Sequence, residues 1–449
     1  MNPEDLEIAQ MLKNHPIINE QDDYKIRYIN VLEYFVEKYS SDDLWANQSL
    51  SLYKITLLKN VSAYRYDKFN LKHDSKLVIA TKLRSFKLFS YRYCLIIDIA
   101  FICAFNNKEK CESIFGELSS IYHKCYQKRI RQVFESLYDS SITIERIEQV
   151  QYLKRCWDLN RSFLKTAPIK VMVTANMSAG KSTLLNALIG EKINKTQNDA
   201  CTAKIHYIVN KPYEDGFCYK FDGNLNLKAD NLLLMEDSIN NSNSEIIVGA
   251  SFKTINNIIK RIWLIDTPGV NSSQDRSHRE IALNAICNIK PDLLIYLLNG
   301  ENIGTDDDRN HLLYILEKYK GEILFVVNKL DKFRAKEDSI SKTIDDAISD
   351  LTNMGFKEPK VVPISAYAAY LSKKAIFSNN LNEDEQDEFD VMSRKMNKDE
   401  YQLEKFYPTD IQSSVQIDSN DKNQRLLLHS GLLHLEKIIN NMSPTVKCQ

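Results

Sequence analysis

The first third of this chain is nearly without glycine and proline. Between residues 1 and 165 there is one glycine, Gly116, and, beyond Pro3 at the terminus, one proline, Pro16. Tight strand reversals lean on those two residues, so their scarcity excludes a turn-rich β architecture there and predicts long helices. Paired cysteines are missing as well. Nine cysteines, an odd number, contain no Cys-x-x-Cys spacing. That excludes a disulfide framework and a cysteine zinc site, and reads as thiols in a reducing compartment. The eight histidines form no ligand-spaced cluster. Long hydrophobic runs are absent too. The most apolar stretch, Cys94 to Phe105, is 12 residues and carries Asp98. A bilayer span needs about 20 residues, so this stretch reads as a buried helix of a bundle. Residues 1–20 are polar and acidic, unlike a signal peptide. Charge of neither sign is in excess, with 59 Lys+Arg against 60 Asp+Glu, so no strong nucleic-acid signal is present. The expected location is cytoplasmic, with at most a peripheral place at the inner face of the cell membrane.

At 449 residues the chain has room for two or three domains. In the first block, 1–165, apolar residues recur at helical spacing, as in Ile29, Val31, Leu32, Tyr34 and Phe35, or Ile130, Val133, Phe134 and Leu137. This predicts an all-helical bundle, its last helix running from Ser141 to Leu164. Within it, Ser51–Arg92 holds ten Lys/Arg against Asp67 and Asp74, interleaved with aromatics. That excess is either a set of solvated helix faces or a surface for anionic membrane or an acidic partner. From residue 166 to 449, short β-rich runs alternate with helical ones: Ile169 to Val173, Lys204 to Val209, Arg261 to Ile265, Leu293 to Leu298, Ile323 to Val327 and Lys360 to Ile364. The pattern is that of a doubly wound α/β domain. It breaks at 378–422, where six acids fall within Glu383 to Asp390. An acidic, partly disordered or loosely helical insertion is expected there. An amphipathic helix follows, from Leu426 to Ile439.

Four motifs carry the chemistry. Ala175-Asn176-Met177-Ser178-Ala179-Gly180-Lys181-Ser182-Thr183 sits between a predicted strand and a predicted helix. It has the form of a phosphate-binding P-loop with Ala175 at the first glycine position. Backbone N–H groups from Met177 to Thr183 can turn onto a polyphosphate at the helix N-terminus. Lys181 can reach the β- and γ-phosphates, and Ser182 can ligate Mg²⁺. Asp266-Thr267-Pro268-Gly269 ends a strand. Asp266 can hold a water of the Mg²⁺ shell, and the Gly269 N–H can meet a γ-phosphate. Asn328-Lys329-Leu330-Asp331 ends another strand. Asp331 can accept the ring N–H and exocyclic amine of guanine, Asn328 can brace the loops, and the Lys329 stem can lie over the base. Ser365-Ala366, after the last strand, can offer a backbone N–H to the guanine carbonyl. Thr202, in a loop before a strand, can ligate Mg²⁺ and place the attacking water. Together these predict a P-loop GTPase domain using GTP/GDP and Mg²⁺.

The wording Ser178-Ala179-Gly180-Lys181-Ser182, the spacing to Thr202 and Asp266-Thr267-Pro268-Gly269 resemble the dynamin superfamily, and its bacterial dynamin-like members in particular, over about residues 150 to 440. Gly431-Leu432-Leu433 is similar to the end of such a GTPase domain. The resemblance implies a GTPase stimulated when two G domains meet across the nucleotide, and helical segments flanking the domain. It gives Ser178 a role in holding a monovalent cation at the P-loop, and Thr202 that of the switch threonine. Val270 stands where Ras-like GTPases carry a catalytic glutamine, and Met177 where eukaryotic dynamins carry a glutamine. A dynamin continues into a long stalk after its last G-domain helix, where this sequence has about ten residues. A second dynamin-like chain could supply that stalk, the N-terminal block could replace it, or the chain could be a shortened relative. The resulting expectation is a GTPase that hydrolyses GTP to GDP and phosphate in step with self- or partner-assembly, in membrane remodelling. The competing expectation is a GTP-gated switch of little turnover that binds a protein or nucleic acid instead of lipid.

Overall fold

A computed structural model describes residues 1–59, 90–120, 122, 124–139, 141–142, 144, 147–176, 178–193, 204–235, 245–255, 260–267, 284–334, 338–413 and 415–444. Its centre is a nine-stranded sheet ordered β4-β3-β5-β2-β6-β1-β7-β8-β9. The strands are β1 (Ile169–Ala175), β2 (Ile205–Asn210), β3 (Tyr219–Phe221), β4 (Leu225–Asn226), β5 (Glu245–Ala250), β6 (Ile262–Asp266), β7 (Leu293–Asn299), β8 (Ile323–Asn328) and β9 (Lys360–Pro363). All six predicted strands are present within a residue or two. The runs β6, β1, β7, β8 and β9 pair in parallel. Their near-continuous apolar sequence is what burial on both faces requires. The sheet is not wholly parallel, however: β2 runs antiparallel to β6, and β3 antiparallel to both β4 and β5. The edge strands β3, β4 and β5 were not expected. β3 and β4 are short, and β5 carries Gly249, which weakens a strand signal.

The helices of the N-terminal half pack around Arg92–Ala104, in which every side chain from Tyr93 to Ala104 is buried. The apolar stretch is therefore a buried helix, as its length implied. Asp98 lies at its centre, fully buried, and a lone carboxylate there would be very costly. It is satisfied by the Tyr28 hydroxyl at 2.5 Å, the Tyr53 hydroxyl at 3.0 Å and His15 Nε2 at 2.8 Å. Burial and the Asp98 charge together push both tyrosines well above the usual phenol range. Helices Asp22–Tyr39, Leu44–Leu57, Lys108–Ser120 and Lys124–Ser136 pack here, as does Glu148–Lys165, which starts later than the sequence pattern indicated. Phe115 stacks on Phe134 at 4.3 Å between centroids, and Trp157 Nε1 donates to the Leu137 carbonyl at 2.7 Å. Cys94, Cys103, Cys111 and Cys156 are buried thiols. Most of the basic 51–92 segment lies outside the described residues. Among the described residues, no helix is long and apolar enough to cross a membrane.

The chain's first residues lie on the sheet. The 3-10 helix Pro3–Glu7 crosses β2 and β5, and a Cβ on Gly249 would fall 2.2 Å from the Leu6 carbonyl oxygen. Glu7 is buried and accepts from Arg261 Nη2 at 2.6 Å and Trp263 Nε1 at 2.7 Å. Arg261 also donates to the carbonyls of Leu164 at 3.2 Å and Thr166 at 2.6 Å, and to Glu4 at 2.8 Å. One guanidinium thus ties together the N-terminal strap, the end of helix Glu148–Lys165 and the strand leading to Asp266.

The acidic run Glu383 to Asp390 is helical. Helix Glu383–Met396 opens with a capping box between Asn382 and Glu385, and buries Phe389, Ser393 and Met396. Three of its acids fall in the first turn, where the helix N-terminus favours negative charge. Glu385, Glu388 and Asp390 meet Lys374, Tyr367 and Lys422 respectively. The final helical stretch is also two helices, Lys422–His429 and Leu432–Asn441. They break at Gly431, whose φ is +81° and whose missing Cβ would sit 2.7 Å from the Pro363 carbonyl oxygen. Removing one partner of a buried pair strands the other charge. Glu7→Ala should therefore lower the unfolding free energy by about 3 kcal/mol in a urea titration, and a change below about 1 kcal/mol would show that the clamp does not hold the strap.

Candidate functional site

Parallel strands deliver their loops to one edge of the sheet, the place where α/β folds bind ligands. β1 ends in the Asn176–Gly180 loop, and helix Lys181–Ile189 follows directly. Ser178 and Gly180 both take left-handed backbone, at φ +61° and +91°. That turns the chain sharply enough for successive N–H groups to face one point. Ser178 is exposed, Ala179 buried, and Lys181, Ser182 and Thr183 are half-buried on the first helical turn. The parallel register sets Asp266 of β6 beside Val173 of β1. Lys181 Nζ consequently meets both the Asp266 carboxylate and the Thr267 carbonyl. The Thr267 hydroxyl is 3.3 Å from the Val173 carbonyl, which sews this strand end to β1.

The second half of the site is built on Asn328. Its Nδ2 donates to the Ala179 carbonyl at 2.8 Å, and its Oδ1 accepts from the Ala366 N–H at 2.9 Å. A single carboxamide thus joins the P-loop to the loop after β9. The approach is so close that a Cβ on Gly180 would lie 2.4 Å from Asn328 Nδ2. Lys329 has a φ of +68°, which reverses the chain into the 3-10 turn Leu330–Lys332. Asp331 is brought over Ser365, whose hydroxyl donates to its carboxylate at 2.7 Å. The structure therefore brings together Ser178, Ala179, Gly180, Lys181, Ser182, Thr183, Asp266, Asn328, Lys329, Asp331, Ser365 and Ala366. The remaining expected residues, Met177, Thr202, Gly269 and Val270, lie outside the described residues.

Three contributions were missed by sequence reasoning. Glu301, after β7, lies 3.7 Å from Lys329 Nζ and 3.3 Å from Lys332 Nζ. Thr305 caps helix Asp306–Lys318 and touches Asn176 Nδ2 at 3.5 Å. Behind it Asp308 takes bonds from Thr305 and Tyr296, and burial pushes its carboxyl above the usual range. Lys395 donates to the backbone of the Asp331 turn. Only Thr305-Asp306-Asp307-Asp308 carried a legible signal, that of a helix N-terminus.

The oxygen donors here suit Mg²⁺. Among the described residues no three His, Cys, Asp or Glu side chains converge, so a cage made wholly of protein ligands is not what the fold offers. One hydroxyl, Ser182, and one carboxylate, Asp266, beside a phosphate cradle are the sparse hard-oxygen set that Mg²⁺ accepts, with phosphate and water completing its shell.

Comparison with known proteins agrees on the class. The Dynamin family profile matches residues 171–330. GTPase Era of Haemophilus influenzae is 26% identical over 212 residues, covering 46% of this chain and 52% of Era. GTPase Era of Clostridium beijerinckii is 24% identical over 248 residues, covering 55% and 60%. Among solved structures, Aquifex aeolicus Era bound to GDP and aluminium fluoride is 19% identical with a TM-score of 0.28, covering 49% of this chain and 55% of that one. The chain spans about half the length of the curated relatives it matches. The fold and the strand-end loops are those of a P-loop GTPase domain.

Asn328→Ala would leave the Ala179 carbonyl and the Ala366 N–H without their buried partner. A loss of about 1–3 kcal/mol in unfolding free energy is expected, and an unchanged urea midpoint would mean the bridge is dispensable.

Proposed function

We propose that this protein is a dynamin-like GTPase that binds GTP with Mg²⁺ and hydrolyses it to GDP and phosphate, in step with assembly. The observation that carries the reading is the junction at Asn328, which sets a phosphate loop and a guanine-reading turn on either side of one side chain. A guanine between them meets Asp331 as acceptor for its ring N–H and amine, the Lys329 stem on its face and the Ser365-Ala366 backbone at its carbonyl. The triphosphate runs back to the P-loop amides. Lys181, drawn from Asp266, neutralises the β- and γ-oxygens. Ser182, Thr202 and a water held by Asp266 would hold Mg²⁺, which when bound spreads the charge that builds on the leaving diphosphate.

Hydrolysis then needs an in-line water. Water attacks the γ-phosphorus, the bond to the β–γ bridging oxygen breaks, and GDP leaves with that electron pair. With Val270 in place of a glutamine, the Thr202 region together with the P-loop places the water, and Ser178 would help hold a monovalent cation at the P-loop. The Dynamin profile over 171–330 and the Ser178-Ala179-Gly180-Lys181-Ser182 wording favour G domains meeting across the nucleotide. By the same reading, the chain pairs with a second copy or a second dynamin-like chain, and the basic 51–92 segment meets anionic membrane in membrane remodelling.

Lys181→Ala should abolish phosphate release from GTP, by roughly a hundredfold or more, because it removes a cation that would neutralise the developing charge. Wild-type turnover in that variant would reject the site. Asp331→Asn should move the preference from GTP toward xanthosine triphosphate in a competition assay, and an unmoved preference would reject base reading by Asp331.

A further inference from the structure

The 378–422 segment has no part in the chemistry above, yet it lies against the base-reading half of the site. Lys395, near the end of helix Glu383–Met396, donates from Nζ to the carbonyl oxygens of Asp331 and, at 2.6 Å, of Phe333. The Tyr401 hydroxyl donates to that same Phe333 oxygen at 3.1 Å, and Lys395 Nζ stands 4.8 Å from the centre of the Tyr401 ring. Lys395 is half-buried and Tyr401 buried, so these bonds are shielded from competing water. The segment also reaches the other loop around the base. Tyr407 donates to the Pro363 carbonyl at 2.9 Å, and just beyond the segment the Ser430 carbonyl accepts from the Ser365 N–H at 3.0 Å. Helix Glu383–Met396 cannot drift, because Glu385 is paired with Lys374 and Glu388 bonds Tyr367. Both partners lie on helix Ala366–Phe377, which begins at the amide held by Asn328.

We propose that this segment is a specificity brace and that Lys395 is a positioning residue for guanine recognition. It fixes the Asp331 backbone from behind, while Ser365 fixes the Asp331 carboxylate from the side. The inference rests on Asp331 reading the base, as proposed above. A carboxylate held at both ends meets guanine's two N–H groups without reorganising, and a preorganised acceptor loses less on binding. The brace therefore acts on discrimination. Loss of Lys395 should penalise a ligand that uses both Asp331 bonds more than one that uses a single bond.

Hypoxanthine lacks the exocyclic amine and so makes only the ring N–H bond. Binding of GDP, IDP and ADP to the full chain with Mg²⁺ is measured by titration calorimetry, for the wild type, Lys395→Met and Lys395→Arg. The expected result is that Lys395→Met lowers the GDP-over-IDP preference by roughly threefold to tenfold, the net worth of one ordinary hydrogen bond, while Lys395→Arg keeps most of it. A change that merely loosens the fold weakens GDP and IDP equally, so an unaltered preference in Lys395→Met overturns the brace. A wild type that does not separate GDP from ADP overturns the base-reading assignment itself. Should Lys395→Met fail to fold, Tyr401→Phe receives the same titrations. It removes the second donor to Phe333, and a reduction of about twofold is expected. An unchanged ratio in Tyr401→Phe would then reject the proposal.

Discussion

Everything at the site's edge depends on one carboxamide satisfying two backbone groups at once. Asn328 accepts from the Ala366 N–H and donates to the Ala179 carbonyl, so the P-loop and the loop after β9 cannot move independently. The constraint propagates into the sequence. Gly180 must lack a side chain because the carboxamide occupies the space of its Cβ. Gly300 is held in the same way, with a missing Cβ that would lie 2.8 Å from the Asn328 carbonyl oxygen. The parallel pairing of β7 with β8, Asn299 opposite Asn328, brings that glycine into place. An aspartate at 328 could not donate, and a glutamine would overshoot by a methylene, so the residue type follows from the geometry.

Charges buried away from the site hold the layers in register. Asp98 joins His15, Tyr28 and Tyr53 inside the helical half, and Arg261 joins Glu7 to the sheet. Lys373 is fully buried between Glu436 and the Leu188 carbonyl, so the end of the P-loop helix is tied to the final helix. Burial pulls the Lys373 ammonium below and pushes the Glu436 carboxyl above their usual ranges. Such pairs add little net stability compared with apolar packing, because desolvation offsets much of the attraction. What they supply is a penalty for any other arrangement. A shift of the final helix would strand Lys373, and a shift of the strap would strand Arg261.

The central strands and the helix after Gly180 were legible because each is a local pattern. Continuous apolar runs such as Leu293–Asn299 announce burial on both faces, and a loop such as Ala179-Gly180-Lys181 fixes its own shape. The edge was illegible for the opposite reason. Tyr219–Phe221 and Leu225–Asn226 are too short to carry a period, and are strands only because Glu245–Ala250 pairs with the first and the first pairs with the second. The acidic run left disorder and a loose helix both open because composition reports solvation, whereas these acids cap a helix and face lysines brought in by the fold. The break at Gly431 follows from the nearness of Pro363, which no window of sequence around 431 contains. Lys395 gave no signal at all, being 64 positions from the Asp331 it holds.

The two halves of the site are built to different standards, and chemistry explains why. On the phosphate side, Lys181 rests on Asp266, the carboxylate that would later serve the metal, so the charges there must exchange partners when a nucleotide enters. Phosphoryl transfer can use such rearrangement, since its stabilising charges act on oxygens whose charge changes along the reaction. Base recognition has no such excursion. Guanine presents the same donors before and after hydrolysis, and a reader that reorganised would lose discrimination without gaining rate. The braced turn at Asp331, held through Ser365 and Lys395, fits that division of labour. On the proposed reading, rigidity is concentrated where identity would be read, and the charge that changes partners is kept where the bond would break.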